Sequence, residues 1–316
     1  MNNPGIENEY QIMAALNGKT IEELNDNFRE PVKAMFKYHK EGERIVVRRP
    51  SPWIFAKTDI EIEMYGHYHN VSIKCGFGPA VHQEEFDTFL EFLKSLNISN
   101  ETIDTIKLFH FQDGTLDGSS KKSMRLDEFK DVHKDRIAKA NQELQNPEII
   151  KAIVHRCVIK GTREKNQEIN YLYYGNAEEG IFIPNKAILE YAKDVPCYYP
   201  GFIHFGPFVY NQKIQTRRVR DGKYIQFTQI VWPNIKEGVL IIKKKSMAGV
   251  SPKELDKIKE EVKKEKLEQT PISVASKESK VVRKVDPKDK KTIIVLIVTI
   301  IAVIALFIFL ILTKTQ

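Results

Sequence analysis

The sequence predicts an α+β fold followed by a basic stretch and one membrane-spanning helix. Three observations predict it. In residues 1–145, helix-period segments surround two short alternating runs. Aromatic and β-branched runs crowd residues 146–242. Residues 293–312, IIVLIVTIIAVIALFIFLIL, carry no charge and a single Thr.

The elements can be justified in chain order. Residues 9–16 place Ile12, Met13 and Leu16 at helical spacing, and residues 21–36 continue in the same style. Residues 59–76, DIEIEMYGHYHNVSIKCG, alternate twice about a polar break, which predicts a hairpin centred on residues 67–68. That centre puts Glu61 opposite Lys74 and leaves His67 and His69 in the turn. Residues 83–96 align Phe86, Phe89, Leu90 and Leu93 on one helical stripe. IKLFHF (106–111) predicts a strand, and QDGTLDGSS (112–120) a polar loop. Beyond residue 146, INYLYYG, FIHFGPFVY and KYIQFTQIVW predict strands, with Asp221-Gly222 turning a hairpin and a short helix over 185–192. Residues 243–291 predict an exposed Lys/Glu helix and then a flexible linker. The predicted organisation is therefore a core over 1–145, a strand-rich extension of the same soluble unit over 146–242, the basic helix and linker, a span over 292–312 and a tail over 313–316.

Charge follows this division. The chain nets +7, but residues 1–242 hold 32 basic and 33 acidic side chains, while residues 243–291 hold 16 and 9. The basic excess thus lies beside the apolar segment, where it favours anionic headgroups. At about 1.5 Å per residue the apolar helix is about 30 Å long, one hydrocarbon core. Arg283, Lys284, Lys288, Lys290 and Lys291 precede it and only Lys314 follows. This predicts a C-terminal anchor with the large N-terminal part in the cytoplasm. MNNPGIENEY lacks the basic and apolar regions of a secretory signal. Three scattered cysteines, Cys75, Cys157 and Cys197, fit reduced thiols rather than a disulfide framework.

A helix carrying Glu9, a strand opened by Asp59, a strand carrying Ser72-Ile73-Lys74 and then an amphipathic helix resemble the PD-(D/E)xK superfamily. So does "KTDIEIEMYGHYHNVSIKCG" followed by "GPAVHQEEF", which is similar to an uncharacterised branch with an SxK core. The resemblance implies a restriction-endonuclease-like mixed sheet flanked by helices and a Mg²⁺-dependent nuclease acting on nucleic acid. It implies catalytic roles for Asp59, Lys74 and Glu9. Phosphodiester hydrolysis needs a divalent ion to polarise phosphate and lower the pKa of water, and Mg²⁺ takes carboxylate oxygens. A lysine beside the ion orients the water and stabilises developing charge. Strand period puts positions 72 and 74 on one face, but position 72 is Ser, where the superfamily usually has an acid. Glu9 is the first substitute, Glu61 the second, and Glu84 with His82 the third. The alternative is a degenerate module that binds a partner at the membrane without cutting.

Plainer readings stand beside these. Asp59, Glu61 and Glu63 form the solvated face of a hairpin whose Ile60, Ile62 and Met64 are buried. Lys74 can pair with Glu61 across the strands. Glu9 can face a helix dipole, and His82 can open a helix. Cys75 points to the face opposite Lys74, toward the core. Arg217, Arg218, Arg220 and Lys223 make one basic spot able to grip phosphate. No P-loop, dinucleotide fingerprint, HExxH or CxxC is present.

Overall fold

The computed structural model describes residues 4–37, 40–50, 57–76, 78–162, 167–195, 199, 201–220 and 222–247. The expected Lys/Glu helix, linker and membrane span lie outside them, as does Cys197. So do the side chains of Arg217, Arg218, Arg220 and Lys223. Among the described residues no helix is long and apolar enough to cross a membrane.

The chain opens with α1 (Pro4–Leu16) and α2 (Asp26–Met35). The helical reading of 21–36 shrinks to α2, because Asn25 caps it by accepting from the Phe28 amide at 3.1 Å. The first sheet begins with β1 (Val46–Arg48), β2 (Ile60–Met64) and β3 (His67–Lys74), joined in antiparallel order. The alternation in β2 holds: Ile60, Ile62 and Met64 are buried, and Glu61 and Glu63 are half-exposed. Its turn, however, is Tyr65-Gly66. Met64 faces His67, and both turn residues have positive φ, +57° and +73°. That is the two-residue turn whose twist suits a hairpin. Glu61 therefore lies opposite Asn70 and not Lys74, and His67 and His69 belong to β3. Cys75, just beyond β3, is exposed, because the strand ends at Lys74 and the chain turns at Gly76 with φ +75°.

Next come β4 (Ala80–Glu85) and α3 (Phe86–Ser95). Residues 83–85, expected as helix, are strand: Gln83, Glu84 and Glu85 pair with a later strand, and the amphipathic stripe starts at Phe86. IKLFHF is likewise not a strand but the end of α4 (Asn100–Phe111), capped by Ser99. Ile103, Ile106 and Phe109 are buried at helical spacing, and Leu108 and His110 are buried as well. A helix covered on most sides looks like a strand when only its last six residues are read. Residues 112–120 form the expected loop, tied by the Asp113 carboxylate to the Thr115 and Ser120 amides.

Helices α5 (Leu126–Val132), α6 (Lys134–Leu144) and α7 (Pro147–Val154) follow, and α7 continues into a π-helical turn, His155–Lys160. Strands β5 (Tyr171–Gly175) and β6 (Gly180–Pro184) then complete the first sheet in the order β1-β2-β3-β5-β6. β5 runs parallel to β3 and antiparallel to β6, so the sheet is mixed. Strands from both sides of residue 145 share it.

After α8 (Asn185–Asp194), in the expected position, β7 (His204–Phe205), β8 (Phe208–Arg220) and β9 (Lys223–Val231) join β4 in an antiparallel sheet. Arg220 faces Lys223, as the Asp221-Gly222 signal predicts. α9 (Ile235–Met247) closes the described chain.

Two cores result. One gathers Ile12, Leu16, Phe28 and Val32 of α1 and α2 against Ile60, Ile62, Val71 and Ile73 of the first sheet. The larger one joins α3, α4, α6, α7, β5, β6 and the second sheet. Asp59 and Ser72 lie where β2 and β3 meet, with Leu172 of the larger core beside Ser72 in the sheet.

Candidate active site

Asp59 immediately precedes β2, and its amide donates to the Val71 carbonyl at 2.9 Å. This ties the residue to β3 before any side-chain contact forms. One carboxylate oxygen, Oδ2, then takes three donors: Ser72 Oγ at 2.9 Å, the Ile73 amide at 2.6 Å and Lys74 Nζ at 3.3 Å. None of the three reaches Oδ1. The Lys74 ammonium also donates to the Ile73 carbonyl at 2.7 Å. The side chains of Lys74 and Asp59 are 17% and 24% exposed, so this pair sits in a recess that solvent still enters.

Glu9 of α1 joins this group electrostatically. Its side chain is 14% exposed and accepts from Arg49 Nη2 at 2.7 Å. Burial raises the Glu9 carboxyl above the ordinary glutamate range. The Asp59 carboxylate pushes the same way, while Arg49 and Lys74 pull it down. Two carboxylates that repel one another in a recess are a setting a divalent cation relieves. Among the described residues these bonds leave Asp59 Oδ1 untouched, and Glu9 and Asp59 are acids of the kind a hard cation takes as oxygen ligands. Glu61, opposite Asn70, lies two residues along from Asp59, and among the described residues no hydrogen bond or ion pair joins it to this group.

Glu84 is elsewhere. On β4 it sits in a second, buried cluster, where it receives Arg156 Nε at 3.0 Å and Nη2 at 2.7 Å, and lies 2.8 Å from His82 Nε2. Burial raises the Glu84 carboxyl, but the bonds from His82 and Arg156 outweigh it and leave it below its ordinary value. His82 is accordingly no surface helix residue. Burial holds it below its ordinary value despite the Glu84 bond. Ligand atoms of His82, Glu84 and Cys157 lie within 4.8 Å of one another, close enough to share a metal ion. Yet Arg156 already occupies both Glu84 oxygens, and burial drives the Cys157 thiol far above its usual range. A cation there would join Arg156 and Lys57, so the donor set favours a buried ion pair over a metal centre.

Lys57 links the two clusters. Its Nζ donates to the carbonyls of Val81 on β4 and Cys157 in the π-helical turn. Burial, followed by the Lys74 ammonium, lowers it to about 8, while Cys157, Asp59 and Glu84 pull it back. Arg49, Lys57, Arg156 and Cys157 carried no signal in the sequence as parts of this region. Arg49 meets Glu9 across 40 residues, and Arg156 meets Glu84 across 72. The HQE run of β4 was visible, but its burial was not.

Comparison with known proteins gives no matching family model, no match among curated proteins and none among solved structures.

Proposed function

We propose that the chain is a divalent-metal-dependent nuclease of the restriction-endonuclease-like class, tethered at the cytoplasmic face of a membrane. The observation that carries this reading is the convergence of Asp59, Ser72 and Lys74, with Glu9 electrostatically coupled to Asp59 and Lys74. The five-stranded mixed sheet, with the acid before one strand and the lysine on the next, is the sheet type that the resemblance implies. Asp59 and Glu9 would hold the ion, and Mg²⁺ is the ion the resemblance suggests. Bound there, it supplies positive charge to the phosphate and lowers the pKa of water. Lys74 keeps a donor beside the reacting phosphate, where it orients water and stabilises developing negative charge. Ser72 is not a substitute ligand in this reading. Its hydroxyl donates to Asp59 and fixes that carboxylate, and Glu9 provides the second acid. Water oxygen would bond to phosphorus and lose a proton to solvent, the phosphorus–oxygen ester bond would break, and the leaving oxygen would take a proton from solvent to depart as a hydroxyl. The tether rests on the uncharged residues 293–312, and the basic residues 243–291 suit anionic lipid beside it.

The test uses the full-length protein in detergent with plasmid, single-stranded DNA and RNA, in Mg²⁺, in Mn²⁺ and in chelator. Metal-dependent cleavage that Asp59→Asn and Lys74→Met each abolish supports the reading.

One observation favours a second reading, a binding module that no longer cuts. Lys74 sits on Asp59 and Arg49 on Glu9, so each acid of the group already has a cationic partner. Nucleic-acid binding with no cleavage in either metal would select this reading.

A further inference from the structure

The far end of the Asp59 hairpin carries a second surface. A cleft of about 520 Å³ opens between the end of α2 and the Tyr65-Gly66 turn, and Phe36, Lys37, Met64, Tyr65, Tyr68 and His69 are among the residues lining it. It lies roughly 20 Å from Asp59, six residues along an extended strand. We infer that this cleft docks unpaired nucleic-acid bases, which stack on Tyr65 and Tyr68 while Lys37 and Lys40 take the phosphates. The inference deepens the nuclease reading by naming a single-stranded segment as the substrate feature, and it rests on that reading for the substrate class.

The rings are the first argument. Tyr65 is 60% exposed and Tyr68 is 53% exposed. Tyr65 sits at φ +57°, a backbone position suited to Asn, Asp or Gly and strained for a bulky side chain. A mostly exposed ring at a strained position contributes little to the fold, which leaves contact with something outside it. Charge is the second argument. Among the described residues no acid lines the cleft. Lys37 is exposed at its edge, and Lys40 Nζ lies 5.0 Å from the centre of the Tyr65 ring. No ion pair among the described residues engages either lysine. Flat rings beside unopposed cations are the recognition chemistry of single strands, because every base offers a face and every linkage a phosphate. The third argument is an unmet hydrogen bond. His69 packs between Phe36 and Tyr171, with Nε2 3.2 Å from the Met35 carbonyl. Its Nδ1 is buried and has no partner among the described residues. A base edge or sugar hydroxyl entering the cleft offers one.

The experiment measures binding of a labelled single-stranded oligonucleotide of about 12 nucleotides, and of its duplex, to the full-length protein in detergent. Chelator removes divalent metal, so cleavage does not intervene. Tyr65→Asn places a residue suited to the turn, and Tyr68→Ser keeps a polar exposed strand position, so the fold should survive both. The double variant is expected to weaken single-strand binding at least about tenfold and to leave duplex binding within about twofold. Lys37→Gln with Lys40→Gln is expected to flatten the salt dependence of single-strand binding. Unchanged single-strand binding in the tyrosine double variant overturns the inference. So does equal loss for both probes. Self-association that Tyr65→Asn abolishes, without oligonucleotide binding, assigns the cleft to a second copy of the chain and also overturns it. Cleavage is scored separately in Mg²⁺. Tyrosine-dependent binding without cleavage retires the nuclease and keeps the docking surface, and cleavage without tyrosine dependence does the reverse.

Discussion

Ser72 stands where the resemblance expects an acid, and its hydroxyl binds Asp59 Oδ2 at 2.9 Å. By donating to Asp59 Oδ2 alongside the Ile73 amide, it fixes the carboxylate and leaves Oδ1 outside those bonds. Ser72→Ala should therefore weaken metal affinity modestly, by the net worth of one hydrogen bond to a charged group, about 1.5–3 kcal/mol, read by calorimetric Mn²⁺ titration. Lys74→Met should lower cleavage by about 10²-fold or more while metal affinity in that titration does not fall, because the ammonium beside Asp59 repels a cation rather than binding it. Arg49 sets the pH behaviour of Glu9. Glu9 lies above the ordinary glutamate range, and Arg49 holds it down. Metal needs the ionised carboxylate, so activity falls as pH drops through the Glu9 value. Arg49→Ala lets that value rise, and the acid limb of the cleavage profile should move to higher pH. At this scale the sequence was informative where chemistry is local. Strand period puts Ser72 and Lys74 on one face, and it is the resemblance, not the period, that adds Asp59 to them. The roles of Arg49 and Lys57 depend on contacts that no local pattern encodes.

The element that matters most beyond the hairpin is β4 with the π-helical turn. Together they bury Glu84 against Arg156, with the Glu84 side chain 5% exposed. Arg156→Ala strands that carboxylate and should cost about 3–5 kcal/mol at neutral pH, measured by denaturant unfolding. The sign of the pH dependence follows. The Glu84 value is lowered in the folded protein, so its contribution is present above the unfolded value and is lost as pH falls through the folded one. In the variant that support is already gone, and the gap from wild type should narrow in acid. Lys57 acts in the opposite range. Its value falls from 10.5 to about 8 on folding, so the unfolded chain binds more protons between these values and this group's contribution rises with pH there. A strand was legible where alternation was strict, as in β2. A helix was misread where six residues had to decide, as at 106–111, where burial on most sides of α4 removes the polar face that marks a helix. The turn at Tyr65-Gly66 was missed because Tyr is an uncommon residue for its backbone geometry, and the error carried Glu61 into the wrong register.

Across the whole molecule, two sheets share the work unequally. The β2–β3 pair of the mixed sheet carries Asp59 and Lys74, with Glu9 supplied by α1, while the antiparallel sheet reaches Lys57 through Val81 of β4 and packs into the larger core. The parallel β3–β5 pair joins segments about 100 residues apart, which is why no short window of sequence could reveal a mixed sheet. The apolar residues 293–312 lie outside the described residues, and the proposed tether rests on their composition alone. Their deletion should move the protein from the membrane to the supernatant on fractionation while leaving any nuclease activity in solution. The most direct test of the central claim is cleavage of plasmid and single-stranded DNA by the purified full-length protein, with and without Mg²⁺ or Mn²⁺. The account predicts metal-dependent cleavage that is lost in Asp59→Asn, in Lys74→Met and in Glu9→Gln while each variant stays folded. Cleavage that persists in those variants, or no cleavage and no metal binding by the wild type, would contradict it.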